Sequence, residues 1–531
     1  MYVVTASEMR EMDSLTIRDF GLPGRLLMEN AGYGAVRAML TRFPDLASRR
    51  IGIMAGCGNN GGDGFVMARY LARKGAPVTV FLLTESSKVK GDAAANLHLL
   101  NPIGVPVIEV PDMRAFAEQQ PRMRHTNLWV DAILGTGLTA EVRPFYQAII
   151  EFINASGKPV VAVDIPSGLS SDTALPCGAA VQAQLTTTFA YPKIGHFLYP
   201  GAELTGELEI VDIGIPTHIT DRVAPKQQLL TREIIGGLIP KRRPDAHKGA
   251  TGHLLVIAGG PGKTGAAVMS ATSAMRAGAG LVTLGIASSL CASVSSHLME
   301  VMTSTLPETG TGVLGESALM PILELSTGKK CLAIGPGLGA AEDTRRLVHG
   351  LLPEAAVPLV IDADGLNCLS DTPQLLQKTK VPAVITPHPG EMARLTGLST
   401  AAIQKDRVAC ARNFAVRYHT CVVLKGARTV IAFPDGHVFI NPTGNAGMAS
   451  GGMGDVLTGV IAGLIVQGMA PQFAALAGVY LHGAAADRLS QTSGPFGFLA
   501  SEVMAQLPYQ IAALAQPETS AARHNAPNHG N

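Results

Sequence analysis

The chain has 531 residues, more than one hydrophobic core normally organises, so at least two domains are expected. Its 42 Lys and Arg residues against 41 Asp and Glu residues leave a net charge of +1 with no long basic run, which argues against a nucleic-acid partner. Seven scattered cysteines without a C-x-x-C pair indicate reduced thiols in a cytoplasm rather than a disulfide framework.

No part of the chain predicts a membrane segment. The N-terminus has early acidic residues and no continuous apolar core, so it is not a signal peptide. The uncharged stretch between Asp455 and Asp487 is long enough to span a bilayer, but polar residues and a proline interrupt it, and we predict short buried helices. Their small glycine- and alanine-rich surfaces predict a homo-oligomer. Residues 516–531 are polar and rich in Pro and Asn, which predicts disorder.

The first predicted elements are two helices joined by a GLPG turn within residues 8–40, where apolar residues recur at helical spacing. The following stretch, RRIGIMAGCGNNGGDGFVMARYLARKGAPVTVFLL, is typical of a strand, a glycine-rich loop, a helix and a second strand, as in dinucleotide sites. The G-x-G-x-x-G spacing within it is a weak signal in a chain with 59 glycines. Cys57 in this loop has no histidine nearby and is predicted to be a small packed thiol.

Two further strands end in acidic turns, NLWVDAILGTGL with Asp131 and KPVVAVDIPSGL with Asp164. Ligands collect at the carboxyl ends of parallel strands, so Asn60, Asp131, Asp164 and Ser167 are expected to converge there. The alternative is that each aspartate only caps the turn that follows it. GELEIVDIGIP then predicts an antiparallel or edge strand, and we place the end of this domain near residue 222.

The second half begins with a strand at 253–258 that runs into GGPGKTGAA. This is not a Walker A motif, because Ile257 stands where the motif requires glycine, so Lys263 is predicted to be a solvated loop residue. The segments CLAIGPGLG, PLVIDADGLN, AVITPHPGEM and VVLKGARTVIAFPDG alternate with helical stretches and predict a second α/β sheet. For Asp362 and Asp364 we favour turn chemistry over Mg²⁺ binding.

The stretch Asn445–Leu464, NAGMASGGMGDVLTGVIAGL, is a glycine-rich turn followed by a helix. Unpaired N–H groups at such a helix start form an anion site, and phosphate fits it best. Asp455 could accept the proton of a hydroxyl group that attacks phosphorus. The alternative is an aspartate that only complements the helix dipole.

Taken in order, these motifs resemble the bifunctional NAD(P)H-hydrate repair enzymes, which join an NAD(P)HX epimerase to an ADP-dependent NAD(P)HX dehydratase. The resemblance implies an α/β protein with a Rossmann-like three-layer α/β/α domain at 1–222 and a ribokinase-like domain at 223–515. It also implies epimerisation of R- and S-NAD(P)HX, and dehydration of the S form to NAD(P)H with release of AMP and phosphate. The expected partners are therefore NADHX, NADPHX and ADP.

The resemblance also assigns site residues. Asp164 and Asp455 become the candidate catalytic residues, with Lys193 expected to assist Asp164, and Mg²⁺ is expected to accompany ADP. K⁺ would be bound by Asn60, Asp131 and Ser167. The hydrate would be bound in the first domain by Asn59, Asn60, Gly61, Gly62, Asp63, Gly135, Thr136, Gly137 and Asp164, and in the second by Ala266, Gly339, His388 and Asp455. The nucleotide would be bound by Lys425, Gly426, Ala427, Arg428, Thr429 and Gly454.

Two other functions share part of this pattern. A ribokinase-like kinase of a small alcohol or vitamin precursor, fused to a nucleotide-binding domain, would also use Asp455 and the glycine turn. The NNGGDG loop favours the repair enzyme over that kinase. A non-catalytic nucleotide sensor is disfavoured because it would need neither Asp164 nor Asp455.

Overall fold

The computed structural model describes residues 1–138 and 140–515, and the tail predicted at 516–531 lies outside them. Contacts divide the chain into two compact units, Tyr2–Gln227 and the residues from Gln228 on. Each unit contains its own sheet with helices packed on it. The predicted class, an α/β protein of two domains, is confirmed.

The sheet of the first unit is parallel throughout. After the short β1 (Tyr2–Val3), seven strands form this sheet: β2 (Ile51–Ala55), β3 (Val78–Leu82), β4 (Val107–Glu109), β5 (Leu128–Ala132), β6 (Val160–Val163), β7 (Leu185–Phe189) and β8 (Glu207–Val211). These seven pair in the order β4-β3-β2-β5-β6-β7-β8. The strand order reverses between β2 and β5, the switch point at which open α/β sheets bind ligands.

Helices cover both faces of this sheet. They are α1 (Ala6–Leu15), α2 (Gly24–Arg42), α3 (Asn59–Arg73), α4 (Gly91–His98), α5 (Met113–Met123), α6 (Pro144–Ala155), α7 (Gly201–Thr205) and α8 (Thr217–Val223). In β2 the buried side chains of Ile51 and Ile53 join one apolar cluster and that of Met54 joins another. A strand covered on both faces carries a continuous apolar run, and IGIMA is such a run. The three-layer Rossmann-like architecture is thus confirmed.

The second unit has a mixed sheet. After β9 (Gln227–Leu229), its strands are β10 (His253–Ile257), β11 (Leu281–Ala287), β12 (Met302–Leu306), β13 (Cys331–Ile334), β14 (Leu359–Ile361), β15 (Ala383–Ile385), β16 (Cys421–Leu424), β17 (Val430–Ala432) and β18 (Val438–Ile440). From β10 to β18 the order is β12-β11-β10-β13-β14-β15-β16-β17-β18. Pairing is parallel as far as β16 and antiparallel from β16 to β18.

The helices of the second unit form the layers around this sheet. They are α9 (Arg232–Leu238), α10 (Thr264–Arg276), α11 (Cys291–Ser295), α12 (Leu319–Ser326), α13 (Glu342–Glu354), α14 (Asp364–Asn367), α15 (Pro389–Thr396), α16 (Thr400–Lys405), α17 (Arg407–Tyr418), α18 (Met453–Val466), α19 (Pro471–Thr492) and α20 (Ala500–Ala515). Helix α18 packs closely on α10, because a Cβ atom at Gly459 would lie 2.0 Å from the Ser273 hydroxyl oxygen. The glycines of the predicted anion-site helix therefore also serve packing.

GELEIV forms β8, which is an edge strand as predicted and pairs parallel with β7. Two other local predictions were wrong. The uncharged stretch after Asp455 contains α19, which has 22 residues and is not short. Cys57 is exposed rather than packed. None of the described helices combines the length and apolarity needed to cross a bilayer.

Candidate functional site

In the first unit, Asp131 and Ser167 lie against each other where β5 and β6 end. The Ser167 hydroxyl donates to Asp131 Oδ1 at 2.6 Å, and the Ser167 backbone N–H donates to Asp131 Oδ2 at 2.7 Å. The Asn60 side-chain amide donates to the Leu134 carbonyl at 3.0 Å, and the Leu134 N–H donates to Ser167 Oγ at 2.8 Å. Of the four residues predicted to converge, Asn60, Asp131 and Ser167 are thus joined by hydrogen bonds, directly or through Leu134, whereas the Asp164 side chain bonds to a different set of residues.

Burial in this cluster is unfavourable for the Asp131 carboxylate and for the Asn60 side-chain oxygen. Asp131 is fully buried, and its burial raises the pKa of the carboxyl to about 6 in spite of the hydrogen bonds from Ser167. The Asn60 side-chain oxygen is also buried and has no donor among the residues that the structure describes. A buried oxygen without a donor costs free energy. A cation at this position would relieve both defects.

A second cluster surrounds Asp164, which follows β6. Lys193 Nζ lies 2.5 Å from Asp164 Oδ1, and the Thr188 hydroxyl donates to the same oxygen at 3.0 Å. Lys193 is fully buried and also donates to Thr188 Oγ1 at 2.9 Å and to the Phe189 carbonyl at 3.3 Å. Asp164 has a φ of 66°, in the left-handed region that non-glycine residues seldom adopt and that aspartate enters more readily than most. Residues in this region often lie at functional sites.

Three carboxyl groups share this single ammonium. Burial raises the pKa of Asp63 well above its usual value, and the nearby charges of Asp164 and Asp13 raise it further. The pKa of Asp13, on α1, is raised to about 6, mainly by burial, with Lys193 opposing the shift. Like-charged carboxyls in one site cannot all ionise. The site therefore combines Asp164, which is paired with the Lys193 ammonium, with Asp63, whose pKa burial raises well above its usual value.

The other predicted residues of the first unit border these clusters. Gly61 and Gly62 are buried in the first turn of α3, where a Cβ at Gly61 would lie 2.1 Å from the Gly56 carbonyl oxygen. Asn59 is exposed at the start of α3. Gly135, Thr136 and Gly137 form the loop after β5, with Gly135 packed near the Asn60 side chain.

In the second unit, Asp455 lies in the first turn of α18. The cap residue Gly452 has a φ of 89°, and the backbone N–H groups of Gly454 and Asp455 have no protein acceptor within residues 1–138 and 140–515. Burial raises the pKa of Asp455 to about 6, Asp362 adds to the shift and Lys425 opposes it. The helix start thus offers unpaired donors beside a carboxyl group of raised pKa, as an anion site with a general base requires.

A buried ion pair lies beside this helix start. Lys425 Nζ donates to Asp362 Oδ1 at 2.7 Å, and the Thr458 hydroxyl donates to Asp362 Oδ2 at 2.7 Å. Glu391 Oε2 is 3.8 Å from Lys425 Nζ. A Cβ atom built on Gly454 would be 3.3 Å from the same ammonium. Lys425, predicted to bind phosphate, is therefore adjacent to the glycine turn but paired with Asp362.

The hydrate residues predicted in the second unit lie after β13 and β15 and in the first turns of α10 and α18. His388 precedes α15 and caps it, because its Nδ1 accepts from the Gly390 N–H at 2.9 Å, while half of its side chain is exposed. The Gly339 N–H donates to Asp364 Oδ2 at 2.8 Å. Lys263 Nζ lies 3.0 Å from the same oxygen. This lysine was predicted to be a solvated loop residue; it is exposed, but it also forms an ion pair with Asp364. Ala266 lies on α10, and its Cβ would be 3.2 Å from a Cβ built on Gly337.

The predicted nucleotide loop, Lys425–Thr429, joins β16 to β17. Gly426 and Ala427 are exposed, and the Arg428 guanidinium donates to the Pro442 carbonyl. The Thr429 hydroxyl donates to the Gly426 carbonyl at 3.1 Å. The loop is thus held by its own polar groups with its glycine and alanine facing outward.

Sequence reasoning missed several residues that organise these sites. Asp487 on α19 accepts from the Gly444 N–H and from the Asn445 amide, each at 2.9 Å, and so fixes the glycine turn. His196 is buried near Asp164, and its pKa is lowered to about 3, mainly by burial. One sequence feature indicated that Asp13 could face the interior, because it lies on the same predicted helix as the buried Met9 and Met12. The remaining contacts join residues far apart in sequence and have no local pattern.

Comparison with known proteins gives matches to both units. A family model described as NAD(P)H-hydrate dehydratase matches residues 254–509, and one described as YjeF-related protein N-terminus matches residues 24–195. The bifunctional NAD(P)H-hydrate repair enzyme of Moorella thermoacetica is 44% identical over 517 residues, which cover 97% of this chain and 98% of that protein. The enzyme of the same name from Escherichia coli is 37% identical over 94% of this chain and 91% of that protein. The solved structure of the ADP/ATP-dependent NAD(P)H-hydrate dehydratase from Bacillus subtilis, co-crystallised with ATP/Mg2+, is 33% identical, with a TM-score of 0.48, and covers 54% of this chain and 98% of that one.

Proposed function

The chain belongs to the family of bifunctional NAD(P)H-hydrate repair enzymes, and we propose on this basis that it restores hydrated NADH and NADPH through two activities, one in each unit. The first unit, proposed at 1–222, interconverts the R and S epimers of the hydrate. The second, proposed at 223–515, dehydrates the S epimer with ADP and releases AMP and phosphate. The observation that carries this proposal is the carboxyl of Asp455 beside unpaired N–H groups at the start of α18.

In the second unit, dehydration begins with transfer of a phosphoryl group to the ring hydroxyl. Asp455 accepts the hydroxyl proton as the oxygen forms a bond to the terminal phosphorus of ADP, and the bond from that phosphorus to the AMP oxygen breaks. The N–H groups of Gly454 and Asp455 are directed at the phosphoryl oxygens, where the transition state gains charge. The ring nitrogen then helps to expel phosphate, and loss of a proton from the neighbouring carbon restores the double bond.

In the first unit, Asp164 pairs with Lys193, and the nearby Asp63 has a pKa that burial and the charge of Asp164 raise. Environments that separate the protonation states of neighbouring groups assign one as acid and the other as base. Asp164, held by Lys193, is the base, and Asp63, whose pKa burial raises, is the acid. Asp63 donates a proton to the hydroxyl at the hydrated carbon, and the C–O bond breaks as the ring-nitrogen electron pair stabilises that carbon and water leaves. Water then adds to either face of the carbon as Asp164 accepts its proton, and exchange with solvent restores both carboxyl groups.

The K⁺ site is proposed at Asn60, Asp131 and Ser167, whose buried oxygens fit a cation. An amide, a carboxylate and a hydroxyl are hard ligands with one negative charge, suited to a monovalent ion. The free Asn60 oxygen supports this choice, since nothing else in the described part of the chain satisfies it. The ion would neutralise Asp131 and fix the loop that follows β5.

Exchange of Li⁺ or Na⁺ for K⁺ is expected to accelerate epimerisation of R-NADHX, measured by coupling to excess dehydratase. K⁺ should also raise the melting temperature of the first unit, because an ion that binds only the folded state stabilises it. Asp131→Ala should abolish both responses. Equal rates and equal melting temperatures in the three salts would show that the cluster only caps turns.

The carboxylates nearest the proposed phosphate site in the described residues, Asp362 and Asp364, are engaged by other protein groups. Each carboxylate oxygen of Asp362 and Asp364 already accepts a hydrogen bond, from Lys425, Thr458, Asn367, Lys263 or the Gly339 N–H. No group of three His, Cys, Asp or Glu side chains suited to a metal occurs in the described ranges. Mg²⁺ is therefore proposed to bind through the nucleotide phosphates.

The two activities are expected to separate into fragments, because each unit buries its own core. A fragment beginning near Gln227, supplied with racemic NADHX, ADP and Mg²⁺, should restore the absorbance of NADH from the S epimer alone. Addition of the other fragment should release the R epimer as well. A folded fragment that phosphorylates a small alcohol but does not restore NADH would favour the ribokinase-like kinase.

Two further properties belong to the proposal. The cysteines at 57, 177, 291, 331, 368, 410 and 421 are free thiols, which supports a reducing cytoplasm as the location. The small residues of the helices support self-association into a homo-oligomer, whose mass light scattering would measure.

A further inference from the structure

Arg407, the first residue of α17, has the features of a buried charge without a counter-charge. Only 8% of the residue is exposed, and burial alone lowers the pKa of the guanidinium to about 10. Among the described residues, no carboxylate contributes to the pKa shift of this guanidinium. Its neighbour Asp406 is occupied in capping α17, where it accepts from the Ala409 N–H at 2.8 Å. A cation in such a position is costly unless an anion compensates it.

The guanidinium instead holds three carbonyl groups at the nucleotide loop. Arg407 Nη2 donates to the Leu424 carbonyl at 3.0 Å and to the Lys425 carbonyl at 3.2 Å. Its Nη1 donates to the Ala427 carbonyl at 2.6 Å. All three acceptors lie at the end of β16 or in the loop that follows it.

These bonds fix the direction of the loop N–H groups. In a planar trans peptide the C=O and N–H bonds point in opposite directions. The peptide whose carbonyl is that of Lys425 has the Gly426 N–H on its other side, so that N–H points away from Arg407. It has no protein acceptor within residues 1–138 and 140–515, and Gly426 is exposed. The Lys425 N–H, opposite the Leu424 carbonyl, donates to the Pro387 carbonyl at 2.9 Å and is not available. At the Lys425–Gly426 peptide, Arg407 therefore turns the negative end of the dipole inward and the positive end outward.

We infer that Arg407 is a positioning residue for nucleotide phosphate, which orients the donors of the loop 425–429 and supplies the buried positive charge that the phosphates of ADP balance. It acts through the loop peptides and does not touch the nucleotide. The inference rests on the proposed nucleotide site and adds the group that organises it. Lys425 does not fill this role, because its ammonium is already paired with Asp362.

The test compares Arg407→Met and Arg407→Lys in the full chain, with Arg412→Met as control. Arg412 lies on the same helix and donates to the Gly436 carbonyl at 3.1 Å, at the turn between β17 and β18. The Kd of ADP with Mg²⁺ is measured by calorimetry without hydrate, and KM is measured separately for ADP and for the S hydrate. Arg407→Met should raise the Kd and KM of ADP by about 10- to 100-fold, the range for a lost charged hydrogen bond. Arg407→Lys, which keeps the charge but not the fork of donors, should have a smaller effect of the same kind.

The KM of the S hydrate should stay within about twofold of wild type in both Arg407 variants, since only nucleotide binding is altered. Arg412→Met should change neither KM. Equal increases in the two KM values, or an ADP affinity unchanged in either folded Arg407 variant, would overturn the inference. If Arg407→Met does not fold, the Lys variant decides by the same criteria. Absence of ADP binding in the wild-type chain would instead contradict the proposed function itself.

Discussion

Asp455→Asn is expected to lower the kcat of ADP-dependent dehydration by about 10²- to 10⁴-fold, the usual loss when a general base is removed. The substitution keeps the shape of the side chain and the N–H groups at the start of α18. The Kd of ADP should therefore remain close to that of the wild-type chain. Single-turnover restoration of NADH from S-NADHX measures the chemical step directly.

The same carboxyl group predicts the pH dependence of this activity. A base is active only when it has lost its proton, and burial with Asp362 raises the pKa of Asp455 to about 6. The kcat/KM of dehydration should therefore be constant above that pH and fall about tenfold per pH unit below it, as expected for one titrating group. The residual kcat/KM of Asp455→Asn should not show this fall at low pH.

Asp371→Asn is the matched control, because this exposed carboxylate pairs with Arg345 at the surface of the second unit. It should leave both the rate and its pH profile unchanged. A kcat undiminished in Asp455→Asn would remove Asp455 as the base. The carboxyl would then be only a complement to the helix dipole.

The strand ends of both units were predictable because they obey local rules. Apolar runs such as IGIMA predict strands buried on both faces, and glycine or aspartate at their ends marks the turn. Parallel topology then brings Asn60, Asp131 and Ser167 to one edge without further information. Turn capping, the alternative to ligand binding, is compatible with it in these residues. Asp131 accepts from the Ser167 N–H as a turn cap, and His388 caps α15.

Charge pairing was less predictable, because the partners are distant in sequence. Lys425 pairs with Asp362 across 63 residues, and Lys263 with Asp364 across 101. The sequence of a glycine-rich loop around a lysine is the same whether the ammonium faces water or a carboxylate that follows another strand, here two positions away in the sheet. Only the order of β14, β15 and β16 in the sheet decides this. For the same reason Asp13 could not be connected to Asp164.

Lys193→Met is expected to have the largest effect on the first unit. Its ammonium is fully buried and is bonded to Asp164, Thr188 and the Phe189 carbonyl. Without it, Asp164 would be left beside the carboxyls of Asp63 and Asp13 with no cation. Removal of one partner from a buried ion pair costs about 3–5 kcal/mol in the free energy of unfolding. Epimerisation should fall by at least about 10²-fold, because the base is no longer held.

A double variant separates the charge from the packing of the side chains. Asp164→Asn alone leaves Lys193 buried and unpaired, so it should also destabilise the first unit in urea unfolding. In the double variant Asp164→Asn with Lys193→Met neither charge remains, and the loss of stability should be smaller than the sum of the two single losses. Lys158→Met, at an exposed lysine, controls for the substitution itself. Strictly additive losses would mean that the 2.5 Å contact contributes no coupling, and the assignment of Lys193 as the residue that holds the epimerisation base would then be wrong.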